Sequence, residues 1–309
     1  MNSLNKQNGT AIIVALFVVS LVAIAATLMI ERTYIDIHRS ELILNNNQAN
    51  LYAEGAVAWA RDQLSNDWKF QQKNQLIDKT PIAMPEKKIN GAVITSTIYD
   101  LQGYFNINNL TDQKYQNNFL RLLQAVSPKI NMDTAKTITS ATVDWITATA
   151  KNAALEEYYA KLKPAYRAPH RPMISISELR LVKGMTPELF NALSPYVTAL
   201  PPPTTVNINN AAAPVLMSLS QTMKPDAAKA IVTYRQTLPF TTPQSFLNFD
   251  IVKNNPIEEN KITVTSEYFL VETHVMIGQQ QTTTYTALQR VTKEKEPKVN
   301  VLWQSLGTL

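Results

Sequence analysis

The sequence predicts an α+β fold: one long N-terminal helix laid on a small antiparallel sheet, with a large α-helical domain inserted between the strands. Three observations predict it. An uncharged apolar run opens the chain and passes without a break into helical spacing. Segments of alternating β-branched residues stand around 88–110 and again beyond 261. Between them lie about 150 residues that read as short helices punctuated by prolines.

Residues 1–9, MNSLNKQNG, form a short polar leader with one cation, Lys6. From Thr10 to Ile30 there is no charge, glycine or proline. A run of about 21 residues gives roughly 31 Å of helix, enough to cross a bilayer core. A secretory signal has a shorter apolar region, about 7–15 residues, closed by small residues at a cleavage site. Here Ala23, Ala25 and Ala26 lie inside the run, with Leu28, Met29 and Ile30 still to come. The span 10–30 is therefore read as the transmembrane half of a helix that continues past Glu31 and Arg32. Lys6 ahead of the span points to a cytoplasmic N-terminus under the positive-inside rule, with Arg32 and Arg39 beyond the span weighing against it.

Over residues 31–66 the helical pattern persists. Ala49, Tyr52, Ala53, Ala56, Ala60 and Leu64 recur at three- and four-residue spacing, a stripe suited to packing on a sheet. The small members Ala49, Ala53, Ala56 and Ala60 suit the close approach of a partner's helix equally well, and both uses stay open. Asn45–Asn47 is a weak point in helical propensity, where a bend or local loosening is expected.

Residues 67–90, with Pro81 and Pro85, read as a loop. Lys88–Tyr99 alternates like a strand. In DLQGYFNINNL, residues 100–110, Gly103 is a turn or bulge candidate. Helices are expected at Tyr115–Val126, Met132–Thr147, Ala154–Leu162, Ser177–Lys183, Pro187–Leu200, Ala212–Ser220, Pro225–Gln236 and Pro243–Phe249. Pro187, Pro225 and Pro243 sit where a first helical turn favours proline. Pro201–Pro203 is a stiff connector. Then ITVTSEYFLVETHVMI and TTTYTALQRVTK, separated by Gly278 and glutamines, form a hairpin, and VNVLW adds a strand. The division expected is a leader 1–9, a span 10–30, a sheet-bearing part 31–110, an inserted helical domain 111–260, and a second sheet-bearing part 261–309.

Composition narrows the function. The chain has 309 residues, 45% of them hydrophobic, with a net charge of +5. Its cations are scattered, so the charge does not call for nucleic acid. KEKEPK, residues 293–298, reads as a solvated turn of mixed sign. There is no cysteine, which excludes disulfides and cysteine zinc sites. His38, His170 and His274 lie far apart, none at metal-ligand spacing. No nucleophile elbow, phosphate loop or dinucleotide fingerprint is present. No catalytic residue, metal site or cofactor is therefore assigned, and the chain is not read as an enzyme.

Two stretches resemble helix-hairpin-helix (SAM-like) units: residues 176–200, with Gly184 in the hairpin, and residues 207–236, whose Ser–Gln–Thr hairpin lacks glycine. In DNA-binding versions hairpin amides and nearby cations grip phosphates. The missing glycine and the sparse stacking aromatics favour a structural use. A membrane-tethered DNA receptor is the alternative, distinguished by salt-dependent duplex binding.

The junction of Gly9 and Thr10 resembles a type IV prepilin leader. That resemblance implies cleavage between them by a prepilin peptidase, N-methylation of Thr10, and a chain whose bulk lies in the periplasm of a Gram-negative cell. The fifth mature residue is usually Glu in this class; here it is Val14. Further residues extend the likeness: DLQGYFNIN at 100–108, DW at 144–145, YRAPHRP at 166–172, SELRLVKGM at 177–185, Tyr196–Thr198, VNIN at 206–209, YFLV at 268–271 and VLW at 301–303. With them the chain resembles the general secretion pathway protein K family, the K-type minor pseudopilins of type II secretion.

The resemblance implies a pilin-like fold and a structural role. The protein would sit in the inner membrane and join I- and J-type minor pseudopilins at the pseudopilus tip, with the H-type and the major pseudopilin as further partners. The tip helps initiate a pseudopilus that exports folded proteins through the outer membrane. Val14 then suits the topmost position. A minor pilin of a type IV pilus, which lacks the large insertion, is the related alternative. Family members often carry acidic residues after the DW pair, and some bind calcium. Here ITATAKNAAL follows, so no calcium site is carried over.

Overall fold

The computed structural model describes residues 7–74, 81–148, 152–292 and 297–307. Lys6 and the rest of the leader, and most of KEKEPK, lie outside the described residues. Helix α1, Gln7–Asn74, is continuous over 68 residues. It runs past the expected end near residue 66 and passes unbroken through Asn45–Asn47. Its large apolar side chains from Ile12 to Leu44 are 43–72% exposed. Within this bare stretch the hydroxyls of Ser20 and Thr27 donate to the carbonyls of Leu16 and Ala23, so neither polar group is left open to an apolar surround.

Short strands β1, Ile82–Ala83, and β2, Lys87–Ile89, precede β3, Ala92–Asp100. The segment read as one strand from Lys88 is thus a hairpin. Asn90 and Gly91 both take positive φ, 49° and 79°, the two-residue turn that fits strand twist. β3 alternates buried and half-buried residues along its whole length.

The chain then leaves the sheet. β4, Phe105–Asn106, and a 3-10 turn lead to α2, Gln113–Val126, α3, Met132–Ile146, and α4, Ala153–Ala160. A 3-10 helix at Ile176–Leu181 precedes α5, Pro187–Leu193. The helix expected to reach Leu200 ends there, and the chain straightens into β5, Val197–Thr198. β6, Val206–Asn207, α6, Ala213–Leu219, α7, Pro225–Thr237, α8, Pro243–Leu247, and α9, Asp250–Lys253, follow. β7, Ile262–Thr263, then separates from the long strand it was read with. The sheet resumes with β8, Tyr268–Ile277, β9, Gln280–Val291, and β10, Lys298–Leu306.

The main sheet is antiparallel in the order β1-β3-β8-β9-β10, with β2 also on β3. The helical segment leaves from the end of β3 and returns into its neighbour β8, so the sheet closes as if the segment were absent. α1 covers one face of that sheet. Ala49, Ala53 and Ala56 pack with Ile94 and Val275, and farther along Ala60 and Leu64 pack with Ile98, Phe269 and Leu288. The helical segment builds its own larger core around Phe119, Leu122, Ile138, Trp145 and Tyr159. Two parallel two-stranded ladders, β4 with β5 and β6 with β7, tie its passages together.

Candidate functional site

Gly9 and Thr10 fall in the first turn of α1, with Val14 one turn on and 61% exposed. An all-round apolar helix surface this bare is one that lipid or other helices cover. The stripe of Ala49, Ala53, Ala56 and Ala60 is different: each is at most 3% exposed, beneath the chain's own sheet. Small side chains let the helix axis come close to the sheet there. The opposite side of the same stretch is open. Leu51 is 71% exposed, and a Cβ added at Gly55 would meet nothing within 4 Å.

At the far end of the sheet, buried amides join the two lobes. Asp100 Oδ1 accepts from the amide of Gln102 at 2.7 Å, and its Oδ2 accepts from Ser266 Oγ at 2.7 Å, Asn207 Nδ2 at 3.0 Å and Asn210 Nδ2. Asn106 exchanges a pair of 3.0 Å hydrogen bonds with the backbone of Leu200. Asn108 does likewise with Met173, donating at 3.0 Å and accepting at 2.8 Å. Gly103 is where the two passages touch, because a Cβ there would stand 3.0 Å from the Asn210 backbone. DLQGYFNIN and VNIN therefore meet, as a structural knot.

YRAPHRP, the DW pair and SELRLVKGM also converge. Trp145 lies edge-on to Tyr159 and Tyr166, and its Nε1 donates to Glu178 at 3.2 Å. Burial of the Tyr159 phenol pushes its pKa up to about 12. The hydroxyl accepts from the amide of Lys183, beside Gly184, whose φ is 88° and whose added Cβ would crowd Ile138 at 3.0 Å. His170, itself at φ 47°, lies 3.0 Å through Nδ1 from the Asp144 carbonyl and 2.9 Å through Nε2 from Glu156 Oε1. Burial works against charge on this imidazole, but those two oxygens, with the Asp144 carboxylate, hold its pKa above the ordinary value.

Spacing did not disclose this grouping, since the partners lie 26 and 14 residues from His170. Ligand-type atoms of Asp144, Glu156 and His170 fall within 4.8 Å of one another. Calcium takes about six to eight oxygens, and this group offers two carboxylates and a nitrogen donor. The residues present do not fit that ion.

The cations of the hairpin units divide: Arg180, Lys224 and Lys229 are exposed, and Lys183 and Arg235 are half-buried. Arg180 lies 4.3 Å from the Phe190 ring centre and Lys183 4.6 Å from that of Tyr158. Arg235 on α7 donates to the Ile208 carbonyl, and burial lowers its pKa to about 10. Beside these units an apolar cleft of about 380 Å³ separates Ile174 and Pro195 from Leu270 and Trp303 on the sheet face away from α1.

Family models for type II secretion system protein K match residues 103–202 and 206–265. A type II secretion system protein K of Pectobacterium carotovorum is 30% identical over 89% of this chain and 90% of its own length. That of Pseudomonas aeruginosa is 28% identical over 97% of this chain and 93% of its own. Among solved structures, a chain of the GspK–GspI–GspJ complex from enterotoxigenic Escherichia coli superposes with a TM-score of 0.71 at 20% identity. The match covers 88% of this chain and all of that one.

Proposed function

Because this chain belongs to the protein K family of type II secretion, we propose that it is a minor pseudopilin standing at the tip of the pseudopilus. One observation carries the placement. The inner end of the sheet packs on Ala49–Ala56, whereas the end from which the helical lobe departs packs on Ala60 and Leu64. Leu64 lies roughly 50 Å of helix beyond Ile30. The lobe therefore hangs on the end of the rod away from the membrane span, where it obstructs any subunit stacked above. A subunit of this shape fits the top of a fibre and caps it.

In this reading the chain is cut after Gly9, Thr10 becomes the methylated N-terminus, and the bulk lies in the periplasm, held by the inner membrane. Residues 31–110 and 261–309 form the pilin-like part, and 111–260 the inserted lobe. Partners are I- and J-type minor pseudopilins, with the H-type and the major pseudopilin below. The related protein was solved in a complex with GspI and GspJ, and the bare first half of α1 gives this chain a surface for companion helices. A glutamate at Val14 would need a cation in the bilayer; valine does not, so the subunit can stand with nothing above it.

Two measurements test the reading. Intact mass of the membrane-extracted protein should begin at a methylated Thr10; a start beyond residue 20 would indicate another processing route. Full-length chain mixed with I- and J-type partners in detergent should elute as one complex, and separate elution overturns the assignment of partners.

A further inference from the structure

α4 is seated in the core of the lobe by Leu155 and Tyr159, and its Glu156 also meets the end of α3 through a single histidine. The ring of His170 is bracketed by two oxygens. On one side is the backbone carbonyl of Asp144, in the last turn of α3, at 3.0 Å; on the other is Glu156 Oε1 on α4, at 2.9 Å. A carbonyl only accepts, and so does an ionised carboxylate. A neutral imidazole has one N–H, so it can satisfy one of the two and must turn a lone pair against the other. Only the imidazolium donates to both.

The surroundings agree with a cation. The last turn of α3 carries no basic residue of its own, although the exposed carbonyls at a helix C-terminus favour positive charge. His170 supplies it from a distant segment, and its backbone takes a φ of 47° to do so. Of the charged groups around it, α3 contributes the Asp144 carboxylate and α4 contributes Glu156. The neighbouring Glu178 is occupied by Trp145 Nε1 and the amide of Ile174, and Lys161 by Glu157. The His170 and Glu156 side chains are 18% and 30% exposed, which shields the pair from full solvent screening.

We propose that His170 is a built-in cation that fastens α4 to the end of α3, and that this corner of the lobe loosens as the imidazolium loses its proton. The sign follows from the geometry. Contacts that favour the charged ring make it harder to deprotonate in the folded chain than in the unfolded one. The extra stability is complete below the ordinary value of 6.5 and is lost as pH rises through the folded value. The lobe is thus tighter in mildly acidic surroundings, and whatever contacts α4 meets a more mobile surface in alkaline ones.

The test uses the full chain in detergent with isotope-labelled histidines. His170 should titrate above 6.5. Hydrogen exchange in α4, corrected for the intrinsic rate, should rise several-fold between about pH 6 and about pH 8. Glu156→Gln keeps the shape but removes the charge; it should lower the His170 midpoint and abolish the pH step in α4. His170→Asn tolerates the left-handed backbone and should leave α4 loose at every pH. If that variant does not fold, Glu156→Gln decides alone. A His170 midpoint at or below the ordinary value, or identical pH profiles of exchange in wild type and Glu156→Gln, overturns the proposal.

Discussion

From Ile12 to Leu44 the large apolar side chains of α1 stand 43–72% exposed, whereas Ala49, Ala53, Ala56, Val57, Ala60 and Leu64 are at most 7% exposed. The helix is the same and unbroken. What differs is the shape of the apolar surface. As far as Ile30 the first half presents Ile, Val, Leu and Phe on every side, as a helix in lipid does, and from Glu31 to Leu44 its exposed apolar residues are interleaved with charges. The second presents one stripe of small residues and keeps Glu54 and Asp62 on the other sides. A bulky all-round surface asks for a fluid surround, and a narrow stripe of alanines asks for one rigid neighbour at short range. Apolar content alone separates neither case.

The largest expected effect breaks that comparison directly. Leu64→Ala opens a cavity against Ile98 and Phe269 and should cost about 2–5 kcal/mol. Leu28→Ala, in the bare half, should leave unfolding of the sheet and the helical lobe unchanged. Denaturant midpoints of the full chain in detergent, followed by tryptophan fluorescence, check both. Equal effects would mean that the halves share one environment. Next in size, Val14→Glu should disfavour insertion of the free subunit by up to about 2.5–3.5 kcal/mol. Processing after Gly9 would persist while stable membrane integration came to depend on partners. A Val14→Glu subunit that integrates as well alone as with partners would refute the positional reading of Val14. Smaller again, Ala60→Leu should overpack the helix against the sheet and lose about 1–3 kcal/mol, whereas Ala26→Leu should lose nothing measurable.

The contrast in α1 was legible in the residues, because charge-free length and three-four spacing are both local patterns. So was the order of strands, helical block and strands. Local turn chemistry was readable too, although the strand from Lys88 hid it: Asn90–Gly91 is a hairpin signal and splits β2 from β3. The shortening of the helix after Pro187 has a local and a tertiary cause: Pro195 ends the α-helical hydrogen bonding at Leu193, and Val197 and Thr198 straighten to pair with Phe105 and Asn106. The knot at Asp100 and the His170 bracket had no local signal. Their partners come from separate passages of the chain, and only the fold brings Asn207 to Asp100 or Glu156 to His170. Buried amides and a paired histidine look, in sequence, like any polar residue.

The smallest expected effect sharpens the boundary between the two halves of α1. Asn45, Asn46 and Asn47 lie between the bare stretch and the buried stripe, and the helix passes through them intact. Asparagine is a weaker helix former than alanine, because its side chain offers the backbone competing hydrogen bonds. Three in a row should make this the place where α1 opens most readily, even though it is helical in the folded chain. Asn47 is exposed, so replacing it removes little packing and tests propensity alone. Asn47→Ala should favour the local helix by about 0.5 kcal/mol, which slows hydrogen exchange about twofold. The slowing should be confined to residues near 43–51, and neither the membrane half nor the Ala53–Leu64 stretch should respond. An unchanged exchange rate would locate the weak point in how the sheet supports the helix. A slowing that spread into both halves would mean that α1 opens as one unit, and the boundary drawn by burial would not be a boundary in motion.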